Sequence, residues 1–309
     1  MRDLPPSFTA GFGVPQVFPG GPVDVTEIVE VARAAEAAGF ADLWTQEQLI
    51  GTARSIEPLT LLAYLAAATE RIRLGVSVLV LPVHGPLHLA KRLASLDVLS
   101  GGRLIAGVGI GGDWDVGAFG IPEGRRVGRF MNVLNAVDAL WTEERAQLNG
   151  DFFSLSGTPM EPKPLQTPRP PIWFGARAEP AVRRAARHGD GWMGPGSSSI
   201  ETFESLVPLL REELEQAGKD PIGFPVSKRV YLAIDDDAER ARHRLREWFA
   251  HNYGNADMAE RVSVWGPAEH VYAYLDRLIE AGANHLLLNP VFDYGEHIDA
   301  LRPYANAGA

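Results

Sequence analysis

Along the chain, short apolar runs alternate with stretches in which apolar residues recur every three or four positions, so strand and helix periods trade places from end to end. Phe8 to Val14 is a short apolar run. Asp24 to Ala38 then carries Val25, Ile28, Val31, Ala32 and Ala35 at helical spacing, with Asp24 placed to cap the helix and Gly39 to stop it. The same alternation predicts a strand over Ala41 to Gln46, a helix over Pro58 to Thr69 and a strand over Ile72 to Leu81. A helix over Pro86 to Leu99, ended by Ser100-Gly101-Gly102, and a fourth strand over Arg103 to Val108 come next. After an amphipathic helix over Arg126 to Trp141 the rhythm breaks. Leu148 to Phe153 has the Asn-Gly turn and flanking aromatics of a hairpin, and Pro159, Pro162, Pro164, Pro168, Pro170 and Pro171 mark an irregular connection. Alternation then resumes. Strands are expected over Pro171 to Phe174, Gly191 to Met193, Val226 to Ile234 and His285 to Asn289. Helices are expected over Pro180 to His188, Thr202 to Ala217, Ala238 to Phe249 and Pro267 to Ala281, with a short one at the end.

Eight strands separated by helices is the count at which a parallel sheet closes, so the expected fold is a (β/α)8 TIM barrel. It is read as a single domain over residues 1–309, with a hairpin and proline-rich excursion between the fourth and fifth strands. The absence of cysteine removes disulfides, thiolate metal sites and cysteine nucleophiles together. A net charge of -10 repels phosphate polymers, and no basic cluster offsets it, so no nucleic-acid partner is expected. No apolar run, Val76 to Val83 included, approaches the ~20 residues of a membrane span. The opening residues lack the apolar core of a signal peptide, so a cytoplasmic protein without membrane contact is expected.

Gly107-Val108-Gly109-Ile110-Gly111-Gly112 matches the dinucleotide-binding fingerprint letter for letter. That fingerprint works when a helix starts at once and points its amides at a pyrophosphate. Here Gly117, Gly120, Pro122 and Gly124 come after it, which postpones the expected helix to about Arg126, and the motif ends the fourth strand instead of the first. A glycine-rich loop lying close against a flat ligand, or a tight turn alone, remains as the reading. His84 and His88 are four apart, but Gly85-Pro86 puts His84 ahead of the helix and no third ligand is near, so no metal site is expected. Asp235-Asp236-Asp237 reads as a helix N-terminus.

The stretch from Leu93 through Ser100-Gly101-Gly102-Arg103 to Gly111 resembles the central signature of luciferase-like monooxygenases and deazaflavin-dependent oxidoreductases. Pro170 to Ala176 and Ala185 to Trp192 are similar to that family's second signature. With Arg71 to Pro82 and Gly282 to Leu286, the resemblance runs collinearly over nearly the whole chain. It implies a non-prolyl cis peptide at Ser77-Val78, forming a bulge behind a cofactor ring. It also implies a glycine loop at Gly109 and Gly111 against the ring, and a phosphate region at Gly175-Ala176-Arg177 with Gly194, Gly196 and Ser197. Glu47 stands at the family's acidic position, which reaches the cofactor. Gln48 stands where the family has histidine, and an amide exchanges no proton near neutral pH, so a hydrogen bond that orients a substrate or ring is expected there in place of acid–base chemistry. Gln48, Trp44 and Trp114 are the residues expected around the reacting centre, and Trp192 is a further candidate wall for a planar ligand.

The resemblance implies hydride transfer between a small organic substrate and a tricyclic cofactor. The compact chain and the strand Gly75 to Leu79 look closer to the branch that uses the deazaflavin coenzyme F420 than to the FMN branch. An FMN-dependent monooxygenase, a non-catalytic flavin-binding barrel and a metal-dependent hydrolase are the alternatives. Homodimers are common in the resembled family, and the substrate is not readable from these residues.

Overall fold

A computed structural model describes residues 4–18 and 21–305, apart from the side chains of residues 113–115 and 123. In chain order the elements begin with β1 (Thr9–Gly13), α1 (Val25–Ala38), β2 (Asp42–Thr45), α2 (Pro58–Ala68), β3 (Arg73–Val76) and β4 (Leu79–Val80). Next come α3 (Pro86–Leu99), β5 (Leu104–Gly109), α4 (Asp113–Ala118), α5 (Arg126–Thr142), β6 (Ala146–Leu148), β7 (Leu155–Thr158) and β8 (Ile172–Gly175). The chain continues through α6 (Glu179–His188), β9 (Gly191–Gly194), α7 (Ile200–Gln216), β10 (Val226–Ile234), α8 (Ala238–Tyr253) and α9 (Met258–Val262). It ends with β11 (Ser263–Gly266), α10 (Ala268–Glu280), β12 (His285–Pro290) and α11 (Tyr294–Ala305). Hydrogen bonding runs in the order β1-β2-β3-β5-β8-β9-β10-β12 and returns to β1, the closed ring of a (β/α)8 barrel.

The chain divides into two compact units, residues 1–44, 52–56 and 173–309 in one, residues 45–51 and 57–172 in the other. In the first, α1 begins and ends as its sequence dictates: the Asp24 side chain accepts from the Glu27 N–H, and Gly39 takes the left-handed conformation at φ 90°. Asp237 caps α8 in the same way, so the acidic run is a helix start. β10 is long enough to pair with β9 through Val226, Ser227 and Lys228, and with β11 from Tyr231 to Ile234. β11 and α9 were not legible, because four residues of alternating burial carry too short a period to stand out between two helices.

In the second unit the signature stretch serves the framework. Arg103 donates to the carbonyls of Ala66, Thr69 and Ile72, closing the C-terminal end of α2. Asp97 is buried and accepts from the Leu165 and Gln166 amides at 2.8 and 3.0 Å, pinning the proline-rich excursion. That excursion opens with the β6-β7 antiparallel hairpin, as expected. Two expectations are corrected. The third strand is not continuous over Ile72 to Leu81 but breaks at Ser77-Val78, after which β4 re-pairs with Val108 and Gly109 of β5. A helix also starts sooner than Arg126: Gly111 at φ 73° turns the chain directly into the six residues of α4.

Candidate active site

The C-terminal ends of the strands carry the expected residues, and the segment after β2 is the most tightly organised. Thr45 accepts from the Ser77 N–H at 2.8 Å, and the Ser77-Val78 peptide is cis, as the family resemblance implied. Glu47 grips the bulge beyond it: one carboxylate oxygen accepts from the Val80 N–H at 2.6 Å, and the other lies 2.9 Å from His84 Nε2. The Glu47 side chain is 1% exposed, so its oxygens are committed to the β3-β4 bulge. Glu47, expected at the cofactor, therefore meets the backbone of the bulge and His84 with both of its oxygens. His84, which carries no metal-site signal in the sequence, is its partner, and His88 is exposed on α3.

Gln48 is the next residue. Its Oε1 is buried and has no hydrogen-bond partner among the described residues. A buried carbonyl oxygen left unpaired costs about 1–3 kcal/mol, so a ligand donor there would be stabilising. Ser77 and Val78 are half-buried. Gly109 is buried at the end of β5, opposite Val80. At Gly111 a β-carbon would stand 2.4 Å from Val80 Cγ1, so glycine lets the loop lie against the residue that Glu47 fixes. The Trp114 side chain lies outside the described residues.

Trp44 is corrected from ligand wall to core. It is 2% exposed, its indole N–H donates to Asp42 Oδ1, and its ring packs 5.4 Å from that of Trp173. Asp42 also lies 3.0 Å from His285 Nε2, whose Nδ1 is 2.7 Å from Ser227 Oγ. The set has the composition of a nucleophilic triad, but Ser227 and Asp42 are fully buried and no reacting atom can approach them. Trp192 is likewise core, stacked on Phe203 and donating to the Ala176 carbonyl at 2.9 Å.

The expected phosphate residues separate into two kinds. The Ala176 N–H is spent on the Met193 carbonyl at 3.1 Å, so that amide joins β8 to β9 and is not free for a phosphate. Gly175 is half-buried at the end of β8, and Arg177 beyond it is exposed. Gly194 and Gly196 leave no room for a side chain: a β-carbon would stand 2.8 Å from Phe203 at the first and 2.6 Å from Tyr231 at the second. Ser197 is half-buried between them and α7.

Two cations missed in the sequence lie beneath this region. Lys228 donates to the Pro195 and Ser198 carbonyls at 2.6 and 2.8 Å, and Arg229 donates through Nε to Asn289 Oδ1 at 2.9 Å. The signal was available as two adjacent cations inside a largely apolar nine-residue strand. On α8, Trp248 Nε1, His251 Nε2 and Asn252 Oδ1 are buried and also without a partner among the described residues, at spacings that share a helix face. Among the described residues no cluster of metal-ligating side chains occurs, and no helix is long and apolar enough to cross a membrane.

Comparison with known proteins gives this arrangement its context. An F420-dependent glucose-6-phosphate dehydrogenase of Kineococcus radiotolerans is 30% identical over 233 residues, 72% of this chain and 68% of the relative. An uncharacterised protein of Mycobacterium tuberculosis is 37% identical over 227 residues, 73% of this chain and 76% of its own. The structure of an F420-dependent secondary alcohol dehydrogenase in complex with an F420-acetone adduct superposes with a TM-score of 0.84. It does so at 20% identity, over 98% of this chain and 99% of that one. The luciferase-like monooxygenase family model matches residues 11–309. With that model matching from the first strand onward, this chain belongs to the luciferase-like monooxygenase family of oxidoreductases.

Proposed function

We propose that the protein is an F420-dependent oxidoreductase that passes a hydride between the deazaflavin and a small organic substrate. The observation that carries the reading is the unpartnered Gln48 Oε1, one residue beyond the carboxylate that clamps the β3-β4 bulge. When bound, the deazaflavin supplies a ring carbon that accepts or returns a hydride. This chain's residues do the rest. Ser77 and Val78 back the ring, Gly111 lets the neighbouring loop close on it, and Gly196, Ser197 and Arg177 take its phosphate. Gln48 accepts a hydrogen bond from a ring N–H or a substrate hydroxyl and orients it. As an amide it moves no proton itself, so its part is positioning. The F420-dependent relatives favour this coenzyme over FMN.

The test is titration of the purified protein with F420 and with FMN, followed by fluorescence. Micromolar affinity for F420 with much weaker FMN binding is expected. The reverse order would make the protein an FMN-dependent monooxygenase. Tight F420 binding without reduction by any alcohol or sugar would favour a non-catalytic flavin-binding barrel.

A further inference from the structure

Among the described residues, Lys228 is an ammonium with no counter-ion. Its Nζ is buried and makes hydrogen bonds to the Pro195 carbonyl at 2.6 Å, the Ser198 carbonyl at 2.8 Å and Ser198 Oγ at 3.4 Å, all of them neutral acceptors. Its neighbour Arg229 adds a second positive charge. Burial, with that neighbour, pushes the Lys228 pKa down to about 7. A buried charge held only by neutral oxygens is costly unless an opposite charge comes near.

The loop it grips has spare donors. The carbonyls of Pro195 and Ser198 are turned onto Lys228, and Pro195 also accepts from the Ser198 amide at 3.1 Å. The backbone N–H groups of Gly196 and Ser197, between those carbonyls, have no acceptor among the described residues. Gly196 is buried, and Tyr231 fills the space a side chain would need. Successive free amides above a buried cation form a concavity suited to an anion.

Resting on the F420 reading above, we infer that Lys228 is the positioning residue of the phosphate loop. It draws the Pro195 and Ser198 carbonyls inward, so that the Gly196 and Ser197 amides are presented to the cofactor's phosphate, and its own charge is balanced only when that phosphate arrives. Lys228 touches the loop and not the phosphate. Linkage has two consequences here. An arriving anion raises the affinity of Lys228 for its proton, so binding above neutral pH takes up a proton, and affinity falls as the pH rises through the value of the free protein. Arg229 is the other ionisable group against Lys228 among the described residues. Gly194 of β9 and Phe203 of α7, which also pack around it, do not titrate.

The experiment compares F420 with its phosphate-free chromophore, the deazaflavin carrying only a ribityl chain, so that ionisation of the ring cancels. Wild type is expected to bind F420 about tenfold or more tightly than the chromophore at pH 7, the worth of charge-assisted bonds to a phosphate. Lys228→Met, which keeps the chain's bulk, should lower that ratio at least several-fold while leaving chromophore affinity within about twofold, with Arg177 still present to meet the phosphate. A folded Lys228→Met protein that keeps the wild-type ratio would overturn the inference and leave the F420 reading intact. Wild type that binds neither compound would overturn the F420 reading instead, and equal binding of the two would overturn the phosphate assignment along with the role of Lys228. Should the variant not fold, the wild-type ratio measured from pH 6 to 9 decides: it should fall several-fold above pH 7, with proton uptake on F420 binding seen by calorimetry in buffers of different ionisation enthalpy. A flat ratio without proton uptake would contradict the proposal.

Discussion

Gly111→Val lowers the affinity for F420 by about 100-fold or more and leaves the protein folded. Two costs combine. The residue sits at φ 73°, where a β-branched side chain is strained by about 1–2 kcal/mol. Its β-carbon would overlap Val80 Cγ1 at 2.4 Å. Relief has to come from β4, which pairs only through Leu79 and Val80, or from the short α4 behind the loop. Either movement shifts the bulge that backs the ring, whereas the packing between α3 and α5 is untouched. Affinity measured by fluorescence alongside a thermal melt checks this. Unchanged affinity in a folded protein would remove the glycine loop from the site.

The second large effect separates two roles for Glu47. Glu47→Ala leaves the Val80 N–H and the His84 ring without the acceptor that each now has, which should cost about 2–4 kcal/mol of stability in the cofactor-free protein. F420 affinity should fall at least about tenfold with it, because the freed bulge no longer holds one geometry. Glu47→Gln retains an oxygen for Val80 and an amide within reach of the His84 ring, so most stability and binding should survive. If Glu47 touched the cofactor with its charge, glutamine would damage binding as severely as alanine while the melting temperature stayed near wild type. Melts without cofactor and titrations with it distinguish the two.

The barrel was legible because its signal is repetitive. Asp24 and Gly39 mark both ends of α1, and the apolar run of β12 stands out from the helices around it. The features that stayed hidden have local causes. The break between β3 and β4 was implied by the family resemblance and not by the pattern, since Ser77 alone interrupts the run of Val and Leu and no change of period announces that one peptide is cis. The early start of α4 was hidden by the glycines and proline beyond it, since composition argued against helix while the turn at Gly111 set one up.

The site was legible in outline only, because residue type does not say where a side chain spends its hydrogen bonds. Trp44 and Trp192 have the character of ligand walls, yet both give their indole N–H to the interior. Ala176 stands among the expected phosphate residues, but its amide is already bonded. Asp97 and Arg103, in the stretch that most resembles the family, hold a connection and a helix end instead of a ligand. Conversely, Lys228 and Arg229 look like ordinary strand residues, although two cations in a buried strand require partners.

Hydrogen exchange of the backbone amides, with and without saturating F420, tests most directly that this chain holds a deazaflavin by its ring at Ser77-Val78 and by its phosphate at Gly196-Ser197. Slower exchange is predicted in two segments, residues 77–80 and 194–198, with FMN giving a weaker version of the same pattern. Protection confined to other strand ends, or none at saturating F420, would contradict it.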